Sequence, residues 1–255
     1  MILRHVGVCV LHGPSTSHGP GSMELERILH SQGFGNRRLC QALISRGAVV
    51  IDQVVCDDPR ADFSVDNLSF SVDGVEWQFR EKVYLALHKP AGFECSRTPQ
   101  HHSSVFTLLP EPLRERGVQC VGRLDQDTTG LLLLSDDGQF VHAYTSPKRK
   151  VAKIYHATLK HAFDTSLLET LLAGVLLHGE SEPLKAIAAR QIASHTLELT
   201  IMEGKYHQVK RMVAAAGNRV EGLHRHAIGG YMLPSTLAAG NWIWLDEMAF
   251  QQLRP

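Results

Sequence analysis

The chain has 255 residues, with 26 lysines and arginines against 26 aspartates and glutamates, so its formal net charge is zero. At 44% hydrophobic and 20% charged residues it has the composition of an ordinary soluble globular protein, and no stretch approaches the roughly 18–20 apolar residues that span a bilayer. Five scattered cysteines without a Cys-x-x-Cys pair suggest neither a disulfide framework nor a zinc site, and read as reduced thiols of a cytosolic protein.

Residues 1–22 are rich in turn formers and lack periodicity. They are expected to be a disordered leader, a tag remnant, or sequence ahead of a start at Met23. A small domain is expected over 23–76. Leu25, Ile28 and Leu29 have helical spacing, closed by Gly33. Asn36 is a good N-cap for a second helix that holds Leu39, Ala42 and Leu43 and stops at Gly47. Residues 48–56 read as a hairpin with Asp52-Gln53 at its bend, a weaker turn than Asn-Gly because Gln resists positive φ. Arg27, Arg37, Arg38 and Arg46 form either a solvated helix face or one that meets RNA.

Residues 77–83 are expected to be a linker, and 84–255 a second domain rich in strands. Val83, Leu85 and Leu87 alternate with Tyr84, Ala86 and His88, and Lys89-Pro90-Ala91-Gly92 ends that strand in a tight turn. Leu131 to Leu134 is a continuous apolar run, expected to be a strand buried on both faces. Residues 154–159 and 196–202 alternate again. Helices are expected over Thr165 to Ala173, stopped by Gly174, and over Gln208 to Ala216, stopped by Gly217-Asn218. The fold class is therefore α+β, with a mixed, mostly antiparallel sheet in the larger domain.

Three stretches carry candidate chemistry. Gly122-Arg123-Leu124-Asp125-Gln126-Asp127 puts an arginine and two carboxylates just before the buried run. This is either a structural salt bridge or an ionised carboxylate held against a low-dielectric wall. Glu203-Gly204-Lys205-Tyr206-His207-Gln208-Val209-Lys210-Arg211 passes from strand to helix, with Lys210 and Arg211 off the apolar stripe and able to meet an anion. Lys153-Ile154-Tyr155 puts a basic residue and an aromatic on one strand, where Tyr155 is either core or a ring that stacks on an extruded base. Between the first and third, residues 146–153 hold Lys148, Arg149, Lys150 and Lys153 and no acid, so a neutral total can hide a basic face.

In this order, and with Thr145-Ser146-Pro147, Leu223-His224-Arg225 and Ile228-Gly229-Gly230, these stretches resemble the RNA pseudouridine synthases of the RsuA/RluB/RluE/RluF type. Asn36-Arg37-Arg38 and Arg46-Gly47-Ala48-Val49-Val50-Ile51 resemble the S4-type RNA-binding domain that precedes the catalytic domain in many of them. The resemblance implies Asp125 as the carboxylate that attacks a flipped uridine, Lys210 as the cation that keeps it ionised, and Tyr155 as the ring against the target base. It implies substrate contacts from Arg123, Lys89, His207, Gln208 and Arg211, and phosphate contacts from Lys148, Arg149, Arg37 and Arg38. No cofactor or metal is required. Residues 127–130, 135–139 and 145–149 look more like the members that modify small-subunit than large-subunit rRNA, which implies 16S rRNA as substrate.

The expected setting is a ribosome-assembly particle in the cytoplasm, with the enzyme a monomer that has no membrane contact. Two rivals remain: a non-catalytic RNA-binding assembly factor, which would lack Asp125, Tyr155 or Lys210, and a metal hydrolase built on His101-His102 or His224-Arg225-His226, for which no complete ligand spacing is present.

Overall fold

The computed structural model describes residues 21–254. It divides into two compact units. One contains the described residues up to Lys82 together with Pro110–Val118, and the other Val83–Leu109 and the chain from Gln119 onward.

In the first unit, β1 (Ser22–Glu24) leads into α1 (Leu25–Ser31), whose Leu25, Ile28 and Leu29 are fully buried. Almost all of the expected leader lies outside the described residues. Its last residue, however, belongs to the fold, because Ser22 pairs with Ser64. Gly33 follows α1 at φ +87, and a Cβ there would stand 2.0 Å from the Pro112 carbonyl oxygen, so no other residue fits.

The Asn36 side chain caps α2 (Arg37–Ser45) by accepting the Leu39 N–H at 3.0 Å. The buried face of α2 carries Cys40 and Ile44, whereas Leu39, expected on the apolar stripe, is 55% exposed. β2 (Val49–Ile51) and β3 (Val54–Cys56) form the expected hairpin, and Asp52 and Gln53 do take positive φ, 49° and 65°, as a mirror-type two-residue turn demands.

After β4 (Asp62–Ser64), the strands β5 (Ser69–Val72) and β6 (Val75–Gln78) complete a sheet of order β3-β2-β5-β6. Trp77 lies in β6, opposite Phe70, with its ring edge-on to Phe34 at 5.2 Å. The expected linker therefore begins too early, because this aromatic contact keeps residues 77 and 78 in the sheet. A short helix, α3 (Glu111–Glu115), also belongs to this unit.

The second unit opens with β7 (Tyr84–Lys89), followed by the parallel pair β8 (Phe93–Glu94) and β9 (Ser103–Ser104). β10 (Gln119–Val121) then pairs with β11 (Thr129–Ser135), at the heart of the large sheet. Leu131 to Leu134 have no exposure on either face. Each such burial contributes about 1.5–3 kcal/mol, which locks the strand in place. The Asp137 side chain accepts the Gln139 N–H at 2.9 Å and caps α4 (Gly138–Thr145).

β12 (Lys153–Leu159), α5 (Thr165–Ala173), β13 (Ala188–Ala193), β14 (Thr196–Ile201), α6 (Gln208–Ala215) and β15 (Val220–Ile228) follow, then β16 (Tyr231–Met232), β17 (Trp242–Trp244) and α7 (Glu247–Leu253). The sheet runs β13-β14-β12-β15-β11-β7-β17, with β10 on β11 and β16 on β15. All of its described pairings are antiparallel except β11 with β15, where Gly130 meets Arg225. A Cβ at Gly130 would stand 2.3 Å from the Arg225 carbonyl oxygen, and its φ is +106, so glycine alone allows this approach.

Candidate active site

The loop from β10 to β11 carries Arg123, Asp125 and Asp127, and its shape is set by backbone ties. Lys89 is fully buried, and its ammonium donates to the carbonyls of Pro90 at 3.0 Å, Asp125 at 3.0 Å, Gln126 at 3.2 Å and Thr128 at 2.8 Å. Burial pushes the Lys89 pKa down, while the nearby Cys95, Asp127 and Asp125 work against that shift. The Gly92 N–H donates to the Gln126 carbonyl at 2.8 Å, and the Leu124 N–H to Cys95 Sγ at 3.5 Å.

These ties place the Asp125 carboxylate 3.2 Å from Lys210 Nζ and 3.4 Å from His207 Nε2. Lys210 also holds Asp127, at 2.7 and 2.9 Å. Burial opposes the charge on Lys210, but hydrogen bonds to the two carboxylates hold its pKa above the ordinary value. Asp127, whose burial works against ionisation, is held below its ordinary value by the same ammonium. One cation thus serves two carboxylates.

His207 sits at the N-terminus of α6 with φ 48 and ψ 32, a left-handed conformation that costs a side-chain-bearing residue about 1–3 kcal/mol. That backbone turns its ring toward Asp125 and lays it flat on Tyr206, with centroids 3.8 Å apart and planes at 18°. Tyr206 itself is 75% exposed.

Behind the loop, Tyr155 stands on β12 between Leu199 of β14 and Arg225 of β15. It is buried, and with Arg123, Asp125 and Thr128 it lines a narrow cleft. The cleft adjoins a cavity of about 200 Å³ lined by Arg123, Ser146, Lys153, Tyr155, Glu203 and Arg225, among others. That volume is roughly the liquid share of seven waters, room for one pyrimidine ring. An outer groove of about 570 Å³ leads to Asp125 between Tyr206 and the loop of Glu94 to His102. This loop is shaped by Glu94, which accepts the N–H groups of His101, Gln100 and His102; these bonds draw its pKa down to about 2.

Such a site suits chemistry on a base taken out of its stack: a carboxylate between a lysine and a histidine, beside an aromatic wall. A model of the RNA pseudouridylate synthase family matches residues 83–215. The chain belongs to that family. A relative from Vibrio cholerae named ribosomal small subunit pseudouridine synthase A is 39% identical over 230 residues, covering 88% of this chain and 96% of its own. The Escherichia coli protein of that name is 43% identical over 164 residues, 64% of this chain and 71% of its own. A crystal structure of a pseudouridylate synthase, 33% identical, superposes with a TM-score of 0.64 over 91% of this chain and 99% of that one.

In this pseudouridine synthase Asp125, Lys210, His207, Tyr155 and Arg123 come together. Of the other expected contacts, Gln208 lines the cleft, whereas Lys89 and Arg211 do not. Lys89 cannot meet substrate, because it is sealed inside and its donors are occupied by loop carbonyls. Gln208 is buried too; its amide bonds the Lys205 N–H and Glu203 at 3.0 and 3.1 Å, bracing the turn before α6. Arg211 donates to the carbonyls of Tyr206 and His178 and lies 3.9 Å from the Glu180 carboxylate, so it ties α6 to a neighbouring loop.

Lys148 and Arg149 are exposed in a short 3-10 turn, Pro147–Arg149, that begins at the cavity rim. Arg37 and Arg38 are exposed on α2 in the other unit. Among the described residues no group of three or more His, Cys, Asp or Glu could hold a metal ion.

Two residues were given no role of their own from the sequence. Asp127 shares Lys210 with Asp125. Arg225 is 3% exposed, donates from Nε to the Leu131 carbonyl at 2.7 Å, and has a buried Nη2 with no partner among the described residues. A signal existed in Leu223-His224-Arg225, an arginine beside apolar neighbours, but its cross-strand partner Tyr155 is 70 positions away.

Proposed function

We propose that this pseudouridine synthase acts on ribosomal RNA and isomerises a uridine of the small-subunit 16S rRNA, with Asp125 as the reacting carboxylate. One observation carries the chemical half of this reading: Asp125, paired with Lys210 and His207, opens on a cleft whose inner wall is Tyr155. The names of the relatives from V. cholerae and E. coli support the substrate half.

The reaction breaks the C1′–N1 bond of the flipped uridine, turns the base within the cavity and rejoins it through C5, with loss of the C5 proton. Lys210 sets a positive charge beside Asp125, 3.2 Å from its carboxylate. Tyr155 packs against the ring and is placed to relay the proton. Arg123, exposed at the mouth of the cleft, takes up the space or the contacts of the displaced nucleotide. Taking the base from its stack costs a few kcal/mol, which favours an unpaired uridine. No cofactor takes part.

The first unit acts as an S4-like RNA-binding domain. Its Arg37 and Arg38, with Lys148 and Arg149 of the catalytic unit, contact phosphates and make binding salt-dependent. The enzyme works as a monomer in the cytoplasm on a ribosome-assembly particle.

The test is pseudouridine mapping of both rRNAs from cells that lack the gene. A single missing site in 16S rRNA, restored by the wild-type gene, is the expected result; loss of a site in 23S rRNA instead would overturn the substrate assignment.

A further inference from the structure

Tyr206 takes no part in the reaction proposed for Asp125, yet among the described residues it is the most exposed of the large hydrophobic side chains. A tyrosine exposed by itself is ordinary on a protein surface. This one is held in place. Its carbonyl accepts a hydrogen bond from Arg211 at 3.3 Å, and the Lys205 N–H just before it donates to the Gln208 side chain at 3.0 Å. One face of its ring lies on His207, with centroids 3.8 Å apart and planes 18° from parallel. His207 in turn stands 3.4 Å from the Asp125 carboxylate. The exposure of the ring therefore falls on its other face, at the outer groove.

We propose that the open face of Tyr206 is a stacking platform for the base next to the flipped uridine in the RNA strand. This rests on the reading of Asp125 as the carboxylate that meets that uridine. The uridine is covalently joined to its neighbours, so the strand on one side of it runs through the groove that leads to Asp125. That groove shares Arg123, Leu124, Asp125 and His207 with the cleft, and Tyr206 is part of its wall. When the uridine leaves its stack, the adjacent base loses a stacking partner as well. The Tyr206 ring replaces that partner.

The charge of the groove favours a base over a phosphate. Glu94, Asp125 and Asp127 line it, against the fixed cations Arg123 and Lys210, and Lys210 is taken up by the two aspartates. With its histidines neutral, such a lining repels a phosphate and leaves an uncharged ring unaffected. Every base has a π-face, so the contact adds affinity without reading sequence. A ring fixed in advance also loses little freedom when the base arrives.

The test compares the full-length wild type with Tyr206→Leu and Tyr206→Phe on the rRNA fragment that holds the uridine found by pseudouridine mapping. One RNA carries 2-aminopurine on the 5′ side of that uridine, and a second carries it on the 3′ side. RNA affinity, single-turnover rate at saturating enzyme and 2-aminopurine fluorescence are measured for each pair. Tyr206→Leu is expected to weaken Kd by about 5- to 150-fold with little change in the maximum rate, and Tyr206→Phe to bind like the wild type. At one of the two positions, fluorescence is expected to be lower in the wild-type and Tyr206→Phe complexes than with Tyr206→Leu, which identifies the stacked base.

If Tyr206 served only to hold His207 beside Asp125, Tyr206→Leu would lower the maximum rate and leave Kd unchanged, and the platform would be overturned. Equal fluorescence in all three complexes at both positions would overturn it as well. Conversion by the wild type alongside either result would leave the reading of Asp125 standing. A wild type that converts no rRNA uridine would overturn that reading and the platform together.

Discussion

Replacing Lys89 with methionine keeps the side chain's length and removes its donors. Three of the four carbonyls that it serves, those of Asp125, Gln126 and Thr128, lie in the reacting loop. The Asp125 and Gln126 carbonyls keep the Thr128 and Gly92 N–H groups as donors, but four hydrogen bonds to a charged donor are lost, each worth about 1.5–3 kcal/mol. Relief from burying an ammonium, several kcal/mol, offsets part of that. A net loss of about 3 kcal/mol follows, which for a unit of this size lowers Tm by about 6–12 °C.

Turnover on RNA is expected to fall about a hundredfold, since Asp125 hangs from one of the carbonyls that lose Lys89. Thermal unfolding followed by circular dichroism, and tritium release from C5-labelled RNA, measure the two effects. If Lys89 instead held a phosphate, Lys89→Met would leave Tm alone, raise KM and lower the salt slope of binding by about one. An unchanged Tm with weaker RNA binding would thus refute the buried-tether account.

Other consequences follow from the same geometry. Lys210→Met leaves Asp125 and Asp127 without their shared cation; turnover is expected to drop by about a hundredfold or more, and the Asp127 pKa, followed by carbon NMR, to rise toward its ordinary value. Gly130→Ala forces a Cβ to within 2.3 Å of the Arg225 carbonyl oxygen at φ +106; a destabilisation of about 3 kcal/mol or more is expected in urea melts.

His224, half-buried beside His88, His156 and His226, has its pKa drawn down to about 4 by desolvation and those neighbours. The unfolded chain binds this proton near pH 6.5 and the folded chain only near 4. Its contribution to stability is therefore present above pH 6.5 and lost as pH falls toward 4, by up to about 3 kcal/mol. Urea melts across that range are expected to show the slope, and His224→Asn to flatten it.

Much of this fold was legible because local signals and burial agree. Leu131 to Leu134 could hardly be anything but a two-face buried strand, and the helix over Thr165 to Ala173 ends at Gly174 as its sequence suggests. Asp125, Lys210 and Tyr155 were legible through their ordered motifs. What stayed hidden depends on partners distant in the chain. A lysine in a strand–turn motif reads as a substrate contact until carbonyls 36 to 39 residues away close over it. Trp77 reads as linker until Phe34 gives it an edge-on neighbour.

The central claim is that the Asp125 carboxylate performs the chemistry, and Asp125→Asn tests it most directly. The amide keeps the shape beside Lys210 and His207 and removes the charge. Single-turnover conversion of uridine to pseudouridine is measured with enzyme in excess, with Tm and RNA affinity determined on the same preparation. No detectable conversion, with Tm and Kd close to wild type, is the predicted result. Conversion within about tenfold of the wild-type rate, a barrier difference under 1.4 kcal/mol, would contradict the account.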